Sequence, residues 1–228
     1  MDAYVVAPPP QITVPVEGGG VFPVRRVYCV GRNYAAHARE MGGDPNREPP
    51  FFFSKPADAL VTSGADTPFP PATESLHHEI ELVLAIGQGG ADIAPEQALA
   101  HIFGYGVGLD LTRRDMQERA KAARQPWDMS KGFDGSGPVG TISPAAVVGH
   151  PSAGRISLEV NGQVCQAGEL SDMIWQVPEI VAALSRLVRL APGDLIFTGT
   201  PDGVGPLTRG DVLRGEVEGI GMVETRIV

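Results

Sequence analysis

Glu79 and Glu81 stand two residues apart at the head of an apolar run, His77-His78-Glu79-Ile80-Glu81-Leu82-Val83-Leu84-Ala85-Ile86. Side chains alternate along a strand, so both carboxylates face the same way, roughly 6–7 Å apart at Cα. Two unit charges at that spacing repel by about 2–3 kcal/mol at an effective dielectric of 20. The run behind them argues for burial, and a buried like-charge pair calls for a cation between its members. A divalent metal meets that need, because hard cations take oxygen ligands. A solvated strand end, or pairing with Arg or Lys, would meet it as well. A second apolar run, Gly104-Tyr105-Gly106-Val107-Gly108-Leu109, ends in Asp110, just before a helix start for which Thr112 is the candidate cap. Glu79, Glu81 and Asp110 together form an all-oxygen set that suits Mg²⁺ or Mn²⁺ better than zinc. Zinc spacings are missing: Leu82 stands where a zincin helix needs its second His, and Cys29 and Cys165 are isolated.

Three further groups have candidate chemistry. His37 and Glu40 lie three apart in Asn33-Tyr34-Ala35-Ala36-His37-Ala38-Arg39-Glu40-Met41, neighbours on one face of a short helix. A carboxylate beside an imidazole orients it and raises its basicity, as a water-activating base requires; a surface pair on a solvated helix has the same spacing. Lys131, in Ser130-Lys131-Gly132-Phe133, reads either as a solvated lysine or as a cation for an anionic ligand. The loop Thr198-Gly199-Thr200-Pro201-Asp202-Gly203-Val204-Gly205 has neither P-loop nor dinucleotide glycine spacing, and a tight turn is its plainest reading. The formal net charge is −9, so an anionic substrate needs a local cationic pocket, for which Arg32, Arg114 and Lys131 are candidates.

The elements that must position these groups are short. With 29 glycines and 21 prolines in 228 residues, the chain reads as many strands joined by turns. Strands are expected near 24–30, 51–55, 79–87, 104–111, 137–142, 155–165, 194–198 and 211–228, with a hairpin turn at Val160-Asn161-Gly162-Gln163. Helices are expected near 33–42, 95–103, 112–124 and 178–190, with Pro95 and Pro178 in first turns. Ile180, Val181, Leu184, Leu187 and Val188 form the apolar face of the last helix. Tyr34, Tyr105 and Trp127 are read as packing or pocket wall. The result is a β-rich α+β domain, 24–228, behind an N-terminal extension, 1–23. No basic stripe suits nucleic acid, no apolar run is long enough to span a bilayer, and no leader pattern opens the chain. Two separated cysteines give no disulfide framework, which points to a cytoplasmic protein.

In order, Glu-x-Glu at 79–81, Leu-Asp-x-Thr-x-Arg-Asp-x-Gln at 109–117, Lys-Gly-Phe at 131–133 and Thr-Gly-Thr-Pro-x-Gly-Val-Gly at 198–205 resemble the fumarylacetoacetate hydrolase family. Cys29-Val30-Gly31-Arg32-Asn33-Tyr34-Ala35-Ala36-His37 fits the same family, and the likeness runs from about Val24 to the C-terminus. The chain looks most like the small acylpyruvate hydrolases. Phe22-Pro23-Val24-Arg25-Arg26 and Pro49-Pro50-Phe51-Phe52-Phe53-Ser54-Lys55-Pro56 are similar to fumarylpyruvate hydrolases of bacterial gentisate catabolism.

This resemblance implies a mixed β-sandwich roll, a homodimer, and one Mg²⁺ or Mn²⁺ per subunit on Glu79, Glu81 and Asp110. It implies His37 and Glu40 as the water-activating pair, on a segment that closes over substrate with Gly42-Gly43 as hinge. Lys131 becomes the lysine beside the metal, and Arg32, Arg114, Gln117 and Thr200 become contacts to a small anionic oxo-acid. Many relatives have Ser or Ala where this chain has Gly132. The implied reaction is hydrolysis of a carbon–carbon bond in an acylpyruvate, with fumarylpyruvate giving fumarate and pyruvate. Rival readings are an oxaloacetate decarboxylase or oxo-diacid isomerase on the same metal site, and an inactive metal-binding assembly protein.

Overall fold

The computed structural model describes residues 4–40 and 48–228, so the Gly42-Gly43 pair expected as a hinge lies outside the described residues. At its centre is the strand Ile80–Ile86, every residue of which is buried. Its side chains alternate between two apolar layers. Leu82, Leu84 and Ile86 enter the main core, while Val83 and Ala85 join Val27, Cys29, Leu195 and Phe197 on the other face. A strand covered on both faces reads as a continuous apolar run rather than an alternation.

This strand belongs to an eight-stranded mixed sheet. Its order is Phe51–Lys55, Arg26–Gly31, Asp194–Phe197, Ile80–Ile86, Ile102–Leu109, Gly137–Val139 and Leu60–Thr62, with Ser143–Pro144 also paired to Ile102–Leu109. Two pairings are parallel, Asp194–Phe197 with Arg26–Gly31 and Gly137–Val139 with Leu60–Thr62. A four-stranded antiparallel sheet, Gln163–Glu169, Arg155–Val160, Val212–Val217 and Gly221–Arg226, packs over it through Ile156, Leu158, Leu213, Val217 and Val223. This is the β-rich α+β sandwich that the resemblance implies. The short strands Gly205–Leu207, Leu76–His78 and Thr112–Arg113 form a third sheet beside the head of Ile80–Ile86. The hairpin of Thr13–Pro15 and Val21–Pro23 buries Val14 and Phe22 in the second apolar layer.

The helices are α1 (Ala35–Glu40), α2 (Arg114–Ala123), α3 (Asp128–Lys131), α4 (Ala145–Val148) and α5 (Val177–Leu187). Helix α5 carries Pro178 in its first turn, and the Glu179 carboxylate accepts a hydrogen bond from Gln176 N at 3.0 Å. Val177, Ile180, Val181 and Leu184 face the core, at the spacing of one helical face. Leu187 lies outside that face and is 68 % exposed.

Several expectations need correction. The stretch from Pro95 is a 3₁₀ helix ending at His101, because Ile102 is taken into the neighbouring strand. The 155–165 segment is one arm and part of the next of a hairpin, Arg155–Val160 and Gln163–Glu169. Asn161 and Gly162 turn it at φ 53° and 76°, the left-handed pair that an Asn-Gly turn supplies. The 211–228 segment is likewise a two-strand hairpin. Thr112 is not a cap. It pairs in extended form with His77, and α2 begins at Arg114 after Arg113, with no side-chain cap. The Thr112 hydroxyl is instead drawn inward to accept from Lys131 Nζ at 2.7 Å and to donate to Asp110 O at 3.1 Å.

Candidate active site

The strand pair Ile80–Ile86 and Ile102–Leu109 brings the three acids together. Ile80 faces Leu109 in antiparallel register, and Asp110 N donates to Glu79 O at 2.8 Å, so Glu79 and Asp110 lie opposite one another just past the paired strands. Glu81 follows on the same strand face as Glu79. All three carboxylates are buried, and each offers an oxygen within 4.8 Å of the others.

Cationic side chains hold two of the three. Lys131 Nζ lies 2.8 Å from Glu79 Oε2 and 2.7 Å from Asp110 Oδ2. Arg114 Nη2 donates to Glu79 Oε1. Lys55, itself only 3 % exposed, places Nζ 2.8 Å from Asp110 Oδ1 and also donates to the carbonyls of Leu111 and Lys131. That approach to Oδ1 is a charge contact without hydrogen-bond alignment, so the oxygen retains an unused acceptor site. Glu81 forms no ion pair among the described residues; its Oε2 accepts from Gly199 N at 2.7 Å.

The difference in pairing separates the two glutamates electrostatically. Burial pushes the Glu79 carboxyl up, but Lys131 and Arg114 together bring it well below the ordinary carboxylate range. Burial, then Asp110 and Glu79, drive the Glu81 carboxyl well above that range. A buried, uncompensated carboxylate beside two others is the local signature of a cation site. An octahedral shell of oxygens about 2.1 Å from a small divalent ion spans about 4 Å, close to the spread of these atoms. The residues present therefore fit a hard divalent cation, and nitrogen or sulfur ligands for zinc are not part of the set.

His37 is only 6 % exposed, which removes the solvated-pair reading. Its Nδ1 lies 3.2 Å from Glu40 Oε2. A carboxylate only accepts, so Nδ1 carries the hydrogen and Nε2 is left as the basic nitrogen. Glu40 is tied in turn to the glycine-rich loop, accepting from Gly203 N at 3.0 Å. That loop turns at Gly199, whose φ of +95° and 2.6 Å approach of a hypothetical Cβ to Asn33 Cβ exclude a larger residue.

One cleft gathers Arg32, His37, the three acids, Arg114, Gln117, Lys131 and Thr200, with about 390 Å³ of free space including its mouth. Glu40 reaches it through His37. Along α2, Arg114 Nη1 donates to Gln117 Oε1 at 2.6 Å. Thr200 Oγ1 accepts from Gln166 Nε2 at 2.9 Å, leaving its own hydrogen free to donate. Trp127 and Phe53 supply aromatic wall. Tyr34 and Tyr105 pack in the core, Tyr105 with its hydroxyl 2.7 Å from His150 Nδ1.

Sequence reading missed Lys55, Gln166 and Asn33. Lys55 had a signal, since it ends an apolar strand as Asp110 does. Gln166 had none. It joins His78 Nδ1, Ile80 N, Thr200 and Pro201 O, stitching the acid-bearing strand to the loop. Asn33 latches the Thr198 carbonyl and the Trp175 backbone to the segment before α1.

Residues 26–228 match the fumarylacetoacetate (FAA) hydrolase C-terminal family. A solved structure of fumarylpyruvate hydrolase from Pseudomonas aeruginosa, in complex with Mn²⁺ and pyruvate, superposes with a TM-score of 0.97 at 52 % identity, covering 99 % of each chain. A fumarylpyruvate hydrolase from Ralstonia is 44 % identical over 81 % of this chain and 95 % of its own. An oxaloacetate tautomerase from Escherichia coli strain K12 is 43 % identical over 87 % of this chain and 90 % of its own. With the family model matched over residues 26–228, and relatives more than 40 % identical over most of both chains, the chain belongs to the fumarylacetoacetate hydrolase family.

Proposed function

We propose that the protein is a divalent-metal-dependent hydrolase that cleaves the carbon–carbon bond of an acylpyruvate, with fumarylpyruvate and water giving fumarate and pyruvate. The observation that carries this reading is the buried His37, held by Glu40 and opening onto the same cleft as the three acids and Lys131. Decarboxylation of an oxo-acid has no need of an activated water, and isomerisation needs only a proton moved between carbon and oxygen; hydrolysis needs the water that an imidazole held beside the acids can activate.

Bound to Glu79, Glu81 and Asp110, a Mg²⁺ or Mn²⁺ ion supplies Lewis acidity and a docking point for the 1,2-dioxo end of the substrate. Arg114, Gln117 and the Thr200 hydroxyl orient the anionic head. His37 Nε2 removes a proton from water as its oxygen adds to the distal carbonyl carbon, and Glu40 stabilises the imidazolium that forms. The bond between the acyl carbon and the pyruvate methylene then breaks, releasing the acid. The electron pair of that bond passes to the three-carbon fragment, where the positive charge of Lys131, its three hydrogens held by Glu79, Asp110 and Thr112, stabilises the developing enolate. A proton from His37 restores pyruvate. Arg32 stands at the mouth for the acyl end.

The relatives support both this reading and a second one. Fumarylpyruvate hydrolases and oxaloacetate tautomerases resemble the chain at similar identity, so conversion of oxaloacetate on the same acids and lysine is the alternative. An inactive assembly protein has no use for a buried acid triad facing a positioned imidazole. The proposed protein works as a homodimer in the cytoplasm, and light scattering with size-exclusion chromatography checks the oligomer. The deciding assay supplies fumarylpyruvate or oxaloacetate with Mg²⁺ or Mn²⁺, following loss of the enol chromophore and release of pyruvate. Conversion of oxaloacetate with no hydrolysis of fumarylpyruvate would overturn the proposal in favour of the second reading.

A further inference from the structure

Helix α2 carries a third polar residue on its cleft side. Arg114, Gln117 and Lys121 recur at i, i+3 and i+7, which places them in one row along the helix. All three line the cleft. Arg114 sits at the acids, and Lys121 lies seven residues on, about 10 Å along the axis. The inner cations of the cleft are matched to carboxylates: Arg114 and Lys131 to Glu79, Lys131 and Lys55 to Asp110. Neither Lys121 nor Arg32 pairs with a carboxylate among the described residues. Instead they cap an aromatic pair. Lys121 Nζ lies 5.2 Å from the Trp127 ring centroid, Trp127 meets Phe51 edge-on at 5.2 Å, and Arg32 Cζ stands 5.9 Å from the Phe51 centroid. Burial and the positive charges of Arg114 and Arg32 lower the pKa of Lys121, so its ammonium stands in surroundings that favour an added negative charge.

We propose that Lys121, with Trp127 and Arg32 beside it, binds a carboxylate at the far end of the acyl group, so that the enzyme selects dianionic acylpyruvates. The inference rests on the acylpyruvate reading and sets its substrate class. The two carboxyl carbons of an extended seven-carbon dioxo-dioate are six bonds, about 7–8 Å, apart by ordinary carbon–carbon lengths. That span carries a substrate from the Arg114 end of the row to the Lys121 end, since a lysine side chain leans toward its helix N-terminus. A four-carbon oxo-diacid ends well short of Lys121.

The test compares wild type, Lys121→Met and Lys121→Arg in two ways. In turnover, the ratio of kcat/KM for fumarylpyruvate to that for acetylpyruvate, which lacks the distal carboxylate, should fall about 10–100-fold in Lys121→Met, the loss expected for one charged hydrogen bond. Lys121→Arg should recover much of it. An unchanged ratio in Lys121→Met, including an equal fall for both substrates, overturns the proposal. In binding, calorimetry on the Mn²⁺-loaded protein uses 2-oxoheptanedioate and 2-oxoheptanoate, which differ only in the distal carboxylate. Wild type should favour the dianion, and Lys121→Met should lose that preference; equal affinities in wild type overturn the proposal. If wild type hydrolyses neither acylpyruvate, the hydrolase reading fails, and the calorimetry still decides whether Lys121 recognises the distal charge.

Discussion

Glu81→Gln should act with opposite sign on the metal-free and the metal-loaded protein. Glu81 is buried, within 4.8 Å of Glu79 and Asp110 at the nearest ligand atoms, and among the described residues accepts only the Gly199 amide. At an effective dielectric of 20, each like-charge pair at that distance costs about 3.5 kcal/mol, and Lys131 offsets part of it. Folded Glu81 either bears that repulsion or takes up a proton to escape it, a cost to the metal-free fold that Gln does not carry, so a net relief of about 1–3 kcal/mol is expected when the ionisable group is removed and the shape kept. For a chain of this length that corresponds to a rise in Tm of about 2–12 °C in EDTA. The rise should depend on pH. Below the ordinary Glu value of 4.5, both folded and unfolded Glu81 carry a proton, and Gln and Glu differ little. Above it the unfolded chain ionises while the folded group, its pKa raised by burial, Asp110 and Glu79, holds its proton, so wild type loses stability as pH climbs toward the folded value. Gln escapes that loss, and its advantage should grow from pH 5 to pH 8. Saturating Mn²⁺ reverses the order: wild type gains about 2.7 kcal/mol at a free ion concentration 100 times Kd, and the variant, short one ligand charge, gains far less. Thermal denaturation in EDTA and in Mn²⁺ across this pH range, with calorimetric titration of Mn²⁺, measures every part. A variant less stable than wild type in EDTA at pH 8, or one binding Mn²⁺ with wild-type affinity, would refute the reasoning.

His37→Ala should lower acylpyruvate hydrolysis about 10²–10⁴-fold, the range for a lost general base, and reduce any oxaloacetate decarboxylation much less, with Mn²⁺ affinity nearly unchanged. Equal loss of both activities would reassign His37 to positioning. EDTA should abolish turnover and Mg²⁺ or Mn²⁺ restore it; full activity in protein shown by elemental analysis to be metal-free would sink the metal role. Lys55→Met breaks one arm of a buried ion-pair network and should cost about 3 kcal/mol in urea denaturation of the metal-free protein. A change under about 0.5 kcal/mol, the usual scale of a surface substitution, would mean that Lys131 alone satisfies Asp110.

Local rules made part of this protein readable from its residues alone. A period of two put Glu79 and Glu81 on one face, and an apolar run ending in an acid placed Asp110. Asn161-Gly162 set a hairpin because two left-handed residues in succession suit little else, and Pro178 set the first turn of α5. Each of these follows from chain geometry within a few residues, and ordered motifs carried the family and its fold. The charge balance of the site required the folded chain. Lys131 meets Glu79 across 52 residues and Gly199 meets Glu81 across 118. Such partners share no period or spacing, so nothing local distinguished Gln166 from the other polar residues of its hairpin, and the apolar strand that Lys55 ends marked its position without naming the acid it meets. Thr112 illustrates the same limit. Its sequence position suited a helix cap, yet a buried ammonium nearby gains more from its hydroxyl than the first turn of α2 does. Periodicity reports which side of an element is apolar. Which polar groups meet on that side depends on how distant strands are brought into register, and tertiary packing alone decides that.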